Sequence, residues 1–213
     1  MALRDSGLAR SRQLRIGAAA GVAVAAGGLW YRRYTTPFPY TQRWMLDKEL
    51  PYLTRERVCS LLAPQPGEAV LEIGPGTGLF SLPVAQRLLP TGRLAIFDVQ
   101  QVMLEHTLRR GAEHGLQNID ATRGDATKLP FADHSFDAAF IITALGEISD
   151  QNTALSELAR VLKPGGRLVV GEFLIDCHAV RLGALRRRAG RHGFRIAHTL
   201  GPRHAYLARL HRS

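Results

Sequence analysis

The chain has 213 residues, which is enough for one domain with a sizeable hydrophobic core and little more. Its composition, 46% hydrophobic and 22% charged, is ordinary for a soluble α/β protein. The two cysteines, Cys59 and Cys177, lie far apart in no metal-like spacing, which argues against a disulfide framework and indicates a reducing compartment.

The net charge of +10 is concentrated at the two ends of the chain. Residues 1–45 contain seven arginines and one acidic residue, and residues 177–213 contain nine arginines and no acidic residue. Residues 46–176 contain twelve basic and seventeen acidic residues. Basic ends favour an anionic membrane surface or nucleic acid as a partner. A high-arginine coding bias is the alternative, because the chain has 25 arginines and only three lysines.

The first 35 residues form a basic segment with a candidate membrane anchor at 16–31. These sixteen residues carry no charge, are bracketed by Arg15 and Arg32, and span roughly 24 Å as a helix, slightly less than a bilayer core. A cleaved export signal, a transit peptide and an alanine-rich helix that packs on the body are the alternatives. Residues 36–45 contain two prolines and are predicted to be a linker.

Residues 46–213 are predicted to form one domain in which strands and helices alternate. Helices are predicted at 54–64, 78–90, 101–115, 152–166 and 179–193. Strands are predicted at 68–73, 92–99, 117–126, 136–145, 167–176, 194–201 and 204–211. The alternation indicates a parallel sheet with helices on both faces, and the short turn between the last two strands makes that pair antiparallel.

Ligands of such sheets bind beyond the carboxyl ends of the strands. A glycine loop, Asp98, residues 125–126 and residues 143–147 all follow predicted strands, so we expect them to converge on one crevice. The loop is G-x-G-x-G, whereas a dinucleotide fingerprint would need glycine where Leu79 stands. No Gly-Lys-Ser/Thr follows, so a triphosphate loop is also disfavoured.

Two carboxylates narrow the ligand of this crevice. Asp98 ends the strand after the glycine loop, where a carboxylate can accept hydrogen bonds from both ribose hydroxyls. Asp125 ends the third strand and could accept a hydrogen bond from an adenine amino group. Together with the missing phosphate lysine, they indicate an adenosine ligand without phosphates.

Four ordered motifs then resemble one family. They are VLEIGPGTG at 70–78, FDV at 97–99, GDATKLPFADHSFDAAF at 124–140 and ALSELARVLKPGGRLVV at 154–170. Over about residues 50–211 the chain resembles the class I S-adenosylmethionine-dependent methyltransferases, in particular the small-molecule and lipid subgroup that includes the ubiquinone/menaquinone methyltransferases. The resemblance implies a Rossmann-like, doubly wound seven-stranded sheet with the last strand antiparallel.

The resemblance also implies how the cofactor, S-adenosyl-L-methionine, is held. The glycines of the loop, Gly74, Gly76 and Gly78, pack under its methionine part, and Glu72 holds its ammonium end directly or through water. Asp98 with Val99 holds the ribose side, and Asp125 with Ala126 lies near adenine. A structural carboxylate that caps the loop is the alternative for Glu72.

The segment after the fourth strand, ITALGEISD at 142–150, usually faces the methyl acceptor in this family. It lacks the Asn/Asp-Pro-Pro-Tyr/Phe motif of enzymes that methylate base amines, which disfavours a nucleic-acid substrate. Glu147 is the one candidate for a catalytic base or a group that binds a cationic acceptor; a solvated loop carboxylate is the alternative. Thr143 could touch the cofactor or the acceptor. No metal site is predicted.

The prediction is therefore a methyltransferase acting on a small or amphiphilic, lipid- or quinone-like acceptor, with an anionic membrane surface as a candidate partner. Because S-adenosylmethionine is a cytosolic metabolite, the catalytic domain is expected to face the cytosol. A soluble cytoplasmic protein, or a mitochondrial one in a eukaryote, is the alternative location. A non-catalytic module that binds the cofactor, an RNA methyltransferase and a dehydrogenase are the alternative functions.

Overall fold

The computed structural model describes residues 37–174, 176 and 178–213. Their strands are β1 Ala69–Ile73, β2 Arg93–Asp98, β3 Ile119–Arg123, β4 Phe136–Ile142, β5 Leu162–Phe173, β6 Phe194–Leu200 and β7 Ala205–Arg212. Their α-helices are α1 Arg55–Leu62, α2 Ser81–Leu88, α3 Gln101–Glu113, α4 Gln151–Val161 and α5 Leu182–Arg191. Two 3-10 helices, Tyr40–Met45 and Leu145–Glu147, complete the regular structure of this part of the chain.

The strands form one sheet in the order β3-β2-β1-β4-β5-β7-β6. Strands β1 to β5 run parallel, and β7 is antiparallel to both of its neighbours, β5 and β6. The prediction of a doubly wound seven-stranded sheet with an antiparallel last strand is confirmed. Because the strand order reverses between β1 and β4, the switch point of the sheet lies beyond the carboxyl ends of these two strands.

The sheet separates two apolar layers. Along β1, Leu71 and Ile73 belong to one layer and Val70 to the other, because successive residues of a strand point to opposite faces. Strand β4 is buried along both faces in the same way, which explains why it reads as a continuous apolar run in the sequence. The strands are thus held rigidly, and their carboxyl ends form a fixed platform for a site.

Side-chain caps define where two of the helices begin. Thr54 accepts a hydrogen bond from the backbone N–H of Arg57 at 3.3 Å and is the N-cap of α1. Asp150 caps α4 by accepting hydrogen bonds from the N–H groups of Asn152 and Thr153, both at 3.0 Å. Helix α4 therefore begins one residue before the predicted start.

Two predicted boundaries in the second half of the domain are wrong. Strand β4 ends at Ile142 instead of residue 145, because Thr143 has a φ of +53°, which extended backbone cannot adopt. Helix α4 ends at Val161 instead of residue 166, and strand β5 begins at once at Leu162. Pro164 lacks an N–H group and disfavours helical geometry at the preceding residue, so the helix cannot continue.

The segment predicted to be a linker, residues 36–45, contains the 3-10 helix Tyr40–Met45. Phe38, which precedes this helix, forms hydrogen bonds with residues at the carboxyl edge of the sheet. The predicted membrane anchor at 16–31, like the rest of residues 1–35, lies outside the described residues. No helix of residues 37–174, 176 and 178–213 is long and apolar enough to cross a membrane.

Candidate active site

The three-glycine loop lies directly after β1, at the switch point of the sheet. Gly74, Gly76 and Gly78 have φ values of +70°, +55° and +85°, which side-chain-bearing residues rarely adopt. A Cβ at position 74 would lie 2.7 Å from the Cβ of Ala144, and one at position 78 would lie 2.8 Å from Leu82. The loop therefore needs glycine at both ends, and its bare backbone is open to close approach by a ligand.

Helix α3 fixes this loop through two hydrogen bonds to its carbonyl groups. Thr107 Oγ1 donates to the carbonyl of Gly76 at 3.1 Å, and Arg110 donates to the carbonyl of Thr77 at 2.7 Å. The hydroxyl of Thr77 itself is buried and has no hydrogen-bond partner among the described residues. Because an unpaired buried polar group is costly, this hydroxyl is a ready partner for a bound ligand.

Glu72 is the buried acid next to the loop. Its side chain is 2% exposed, and Ser81 Oγ donates a hydrogen bond to its Oε2 at 2.5 Å. Burial, and to a smaller degree the nearby charge of Asp98, raises the pKa of Glu72 to about 8, although the bond from Ser81 opposes this shift. A carboxyl group with a raised pKa lacks a cationic partner, and an ammonium group would supply one.

Asp98 ends β2 beside the loop and is half-buried. Its Oδ1 accepts a hydrogen bond from the backbone N–H of Gln100 at 2.8 Å, which fixes the carboxylate at the strand end. Burial raises the pKa of Asp98 despite this bond. The neighbouring side chain of Val99 is exposed, so it can offer apolar surface to a ligand held by the carboxylate.

Asp125 and Ala126 follow β3 and differ in exposure. Ala126 is buried, whereas Asp125 is exposed. The Oδ1 of Asp125 accepts two hydrogen bonds from Thr127, one from the N–H and one from the hydroxyl, both at 2.8 Å. This carboxylate therefore stabilises its own turn, a role that spacing alone does not distinguish from adenine binding.

Thr143 follows β4 with its backbone in the left-handed region. Its N–H donates to the carbonyl of Gly171 at 2.8 Å, and its hydroxyl donates to the carbonyl of Ile142 at 2.8 Å. A left-handed conformation costs a β-branched residue about 1–3 kcal/mol and is maintained only where the surrounding structure enforces it. The strain marks this strand end as a specialised position.

Glu147 lies four residues further on, at the end of the second 3-10 helix. It is half-buried, and its Oε2 accepts a hydrogen bond from the backbone N–H of Phe38 at 3.1 Å. Burial raises the pKa of Glu147 to about 7, and the charges of Asp176 and Asp98 contribute to the shift. Glu147 can therefore exchange a proton near neutral pH, as a general base requires.

The segment before the first 3-10 helix, Tyr40–Met45, forms hydrogen bonds with residues that follow two different strands, β4 and β2. Besides the bond to Glu147, the carbonyl of Phe38 accepts a hydrogen bond from the side-chain amide of Gln100 at 2.9 Å. After the helix, Leu46 comes so close to the loop that a Cβ at Gly76 would lie 3.2 Å from it. The predicted linker thus crosses the carboxyl edge of the sheet, although nothing in its composition signals this.

Glu172 is a further acid that the sequence prediction missed. It is the last residue but one of β5, is 1% exposed, and its Oε1 has no hydrogen-bond partner among the described residues. Burial holds its pKa well above the usual range; the charges of Asp176 and Glu147 add to the effect, and a hydrogen bond from the backbone of Val180 opposes it. The sequence offered one sign of this residue, an acidic side chain near the end of an otherwise apolar strand.

The site's donor set fits adenosine attached to an amino acid. The charge of Asp98 contributes to the raised pKa of Glu72, and both acids lie beside a loop that has no room for a Cβ at Gly74 or Gly78. Two carboxylates suit an ammonium group and ribose hydroxyls, and they would repel a phosphate. Across the described part of the chain, no hydrogen bond joins Asp125 to either of them, so its place in the site rests on topology alone.

Residues 70–166 match the model of a family described as "Methyltransferase domain". Among curated proteins, the chain is 40% identical over 133 residues to demethylmenaquinone methyltransferase of Renibacterium salmoninarum, covering 62% of this chain and 48% of the relative. It is 38% identical over 108 residues to the ubiquinone/menaquinone biosynthesis C-methyltransferase UbiE of Hahella chejuensis, which covers 50% of this chain and 43% of the relative. The chain thus spans about half the length of the curated relatives that it matches.

Solved structures share the fold. A SAM-dependent methyltransferase from Aquifex aeolicus matches with a TM-score of 0.75 at 20% identity, over 83% of this chain and all of that one. The [4+2]-cyclase SpnF matches with a TM-score of 0.66 at 21% identity, over 74% of this chain and 79% of that one. Since a cyclase has the same fold, the fold alone does not decide the reaction.

Proposed function

We propose that this chain, which carries a class I S-adenosylmethionine-dependent methyltransferase domain, transfers a methyl group to a ring carbon of a quinol-like acceptor. The observation that carries the proposal is the identity of 36–40% to curated quinone methyltransferases over 108–133 residues. The arrangement of acids around the glycine loop supports the same cofactor, and the acidic site disfavours phosphate-bearing substrates.

The cofactor assignments are part of this proposal. When bound, S-adenosylmethionine supplies an electrophilic methyl group on a sulfonium. Glu72 is the partner of its ammonium group, because a buried carboxyl with a pKa of about 8 gains most from a cation. Asp98 accepts hydrogen bonds from the ribose hydroxyls.

The other cofactor residues contribute apolar contacts and position. Val99 and Ala126 offer apolar surface beside the adenosine, and Asp125 accepts from the adenine amino group with an oxygen of its turn-forming carboxylate. Thr143 lies where cofactor and acceptor meet, at the left-handed end of β4.

Glu147 is our proposed general base. A quinol ring carbon becomes a better nucleophile as the hydroxyl on the ring loses its proton, and Glu147 can accept that proton near pH 7. After methylation, the hydrogen on the same ring carbon moves as a proton to the ring oxygen and restores the aromatic quinol, so the net reaction releases the one proton that Glu147 has taken. Its bond from the Phe38 N–H occupies Oε2, so the proton goes to Oε1. Positioning of the acceptor supplies the remaining catalysis.

Attachment to a membrane through residues 16–31 is a second part of the proposal, supported by the uncharged run between Arg15 and Arg32. Residues 36–213 form a compact unit without it. Sedimentation with liposomes of the full chain and of residues 36–213 tests the anchor. Truncation is expected to weaken binding, and equal binding of both forms would exclude the anchor as a contributor.

A methyl-label transfer screen tests the function itself. The full chain is incubated with radiolabelled S-adenosylmethionine and with quinone, lipid and polar small-molecule extracts. The label is expected in the quinone fraction, and only when that fraction is kept reduced. Label in RNA instead would support the alternative class, and cofactor binding without transfer to any fraction would support a non-catalytic module.

A further inference from the structure

Large apolar side chains that remain exposed are gathered at one edge of this sheet. In the described part of the chain they are Trp44, Met45, Tyr52, Val99, Val102 and Leu200. Val99 follows β2 directly, Val102 lies in the first turn of α3, and Leu200 ends β6. Strand β6 runs parallel to β5, since both are antiparallel to β7, so these three side chains lie at the carboxyl edge.

The other three belong to the same edge through their contacts. The ring of Tyr52 lies 6.2 Å from that of His204, in the turn between β6 and β7. Trp44 and Met45 immediately precede Leu46, whose side chain reaches the glycine loop. The six side chains therefore extend from β2 to β6, five strand spacings or roughly 24 Å, with the site between them.

Val99 is set apart from the other five, because it is proposed to contact the cofactor. We define the rim as the remaining five residues: Trp44, Met45, Tyr52, Val102 and Leu200. The indole of Trp44 is the most exposed, at 62%. Single exposed apolar residues are common on protein surfaces, but their confinement to the edge that holds the site is not explained by folding.

Cations accompany the rim. Arg43 lies in the same 3-10 helix as Trp44, and its guanidinium sits 4.4 Å over a tyrosine ring of that helix. Arg57 sits 5.3 Å over the ring of Tyr52, and Arg203 lies in the β6–β7 turn. Aromatic side chains flanked by arginines suit an interface of apolar chains and anionic headgroups, where each cation contributes about 1 kcal/mol.

Two of the three acids that lie within three residues of the rim are paired with arginines. Asp47 accepts a hydrogen bond from Arg110 at 2.9 Å, and Glu49 pairs with Arg55 at 2.7 Å. These two therefore oppose an approach to an anionic surface little. The third acid, Glu105, accepts a hydrogen bond from the Gln101 side chain at 3.2 Å and has no ion pair among the described residues, so it is the one repulsive charge near the Val102 end of the rim. The chain after residue 176 contributes nine arginines and no acid to the same domain.

We propose that the rim docks the domain on an anionic lipid surface, with the mouth of the active site facing the bilayer. This surface belongs to the domain and is separate from the predicted anchor at 16–31. The inference rests on the proposed function, because a lipophilic quinol could then move from the bilayer into the site without crossing water. Binding would also cover apolar side chains that the fold leaves in solvent.

Tryptophan fluorescence tests the contact directly, since Trp30 and Trp44 are the only tryptophans. In the full chain with Trp30→Phe, all tryptophan fluorescence comes from Trp44. We expect its emission to shift to the blue and to be quenched by brominated phosphatidylcholine in vesicles that also contain phosphatidylglycerol. Vesicle binding with Trp44 neither shifted nor quenched would overturn the proposal, because the chain would then be held by its N-terminal segment alone.

A pair of double variants distinguishes an effect of the rim on vesicle binding from an effect of the total charge of the chain. Met45→Asp with Leu200→Asp places two acids on the rim, and Thr91→Asp with Gln117→Asp places two acids at the opposite edge of the sheet, where both residues are exposed. The rim variant should bind phosphatidylglycerol vesicles at least roughly tenfold more weakly, the effect of about 1.4 kcal/mol, and the control should lose far less. Equal losses would refute the rim.

Activity assays separate this inference from the proposed function. The rim variant should methylate a short-chain, water-soluble quinol as the parent does and lose activity only on a quinol embedded in vesicles. Retained affinity for S-adenosylmethionine shows that the variant is folded. If the parent fails on both quinols, the proposed function fails, while the fluorescence and binding results still decide the rim.

Discussion

Replacement of Glu72 by glutamine removes an ionisable group from the proposed cofactor site and leaves an oxygen that can accept the bond from Ser81. With a pKa of about 8, Glu72 is about ten parts protonated to one ionised at pH 7. Pairing with an ammonium group requires the ionised form, so binding at pH 7 costs about 1.4 kcal/mol for loss of the proton. The affinity of the parent should therefore rise roughly tenfold from pH 6 to pH 7.

Calorimetric titration with S-adenosylmethionine, in buffers of different ionisation enthalpy, measures both affinity and proton release. The parent should release nearly one proton per cofactor at pH 7, and Glu72→Gln should release none. At pH 8 the variant should bind roughly 10- to 100-fold more weakly, because it loses a hydrogen bond to a charged group. Equal affinities with equal pH slopes would show that Glu72 does not hold the ammonium group.

Thermal unfolding without cofactor tests the raised pKa of Glu72 independently of binding. The pKa of Glu72 is raised in the folded state, from an ordinary value of 4.5 to about 8, so the folded protein binds the proton more tightly than the unfolded chain. Its contribution to the free energy of unfolding is therefore lost as pH rises from about 5 to 8. Without cofactor, Glu72→Gln should melt at the temperature of the parent near pH 5 and above it at pH 8.

Asp98→Asn keeps an acceptor for the Gln100 N–H and should weaken cofactor binding roughly 10- to 100-fold by calorimetry, with little change in melting temperature. Gly74→Ala should lower the free energy of unfolding by about 1–3 kcal/mol in urea titrations and abolish cofactor binding, because its Cβ would meet Ala144 at a φ of +70°. Gly190→Ala, within α5 and with open space for a Cβ, is the control and should leave binding unchanged. Glu147→Gln should lower kcat and remove the loss of rate that is expected of the parent below about pH 7, without changing cofactor affinity; an unchanged pH–rate profile would exclude Glu147 as the base.

The sequence predicted the frame of the site because that frame depends on local pattern. Apolar runs separated by helical periods led to the parallel sheet, and strand ends in a parallel sheet meet at one edge. Glu72 and Asp98 could be placed there because each ends or flanks a strand. Residues 70–166, which contain most of the four motifs, match the model of the methyltransferase domain, as the resemblance predicted.

The missed features depend on contacts between distant parts of the chain. The bond between Phe38 and Glu147 joins residues 109 positions apart, and nothing in the proline-containing segment predicts it. The left-handed backbone of Thr143 follows from its packing between neighbouring strand ends, since threonine has no preference for it. Glu172 required knowledge of burial, because the sequence shows only an acid near the end of an apolar strand.

Methylation of reduced demethylmenaquinone with ¹³C-methyl-labelled S-adenosylmethionine tests the central claim most directly. We expect a product that carries one labelled methyl group on a ring carbon, formed by the parent chain and in strongly reduced amount by the Glu147→Gln variant. A label on oxygen would contradict carbon methylation. Absence of labelled quinone, from a chain that binds the cofactor and is supplied with the reduced acceptor, would contradict the proposed function.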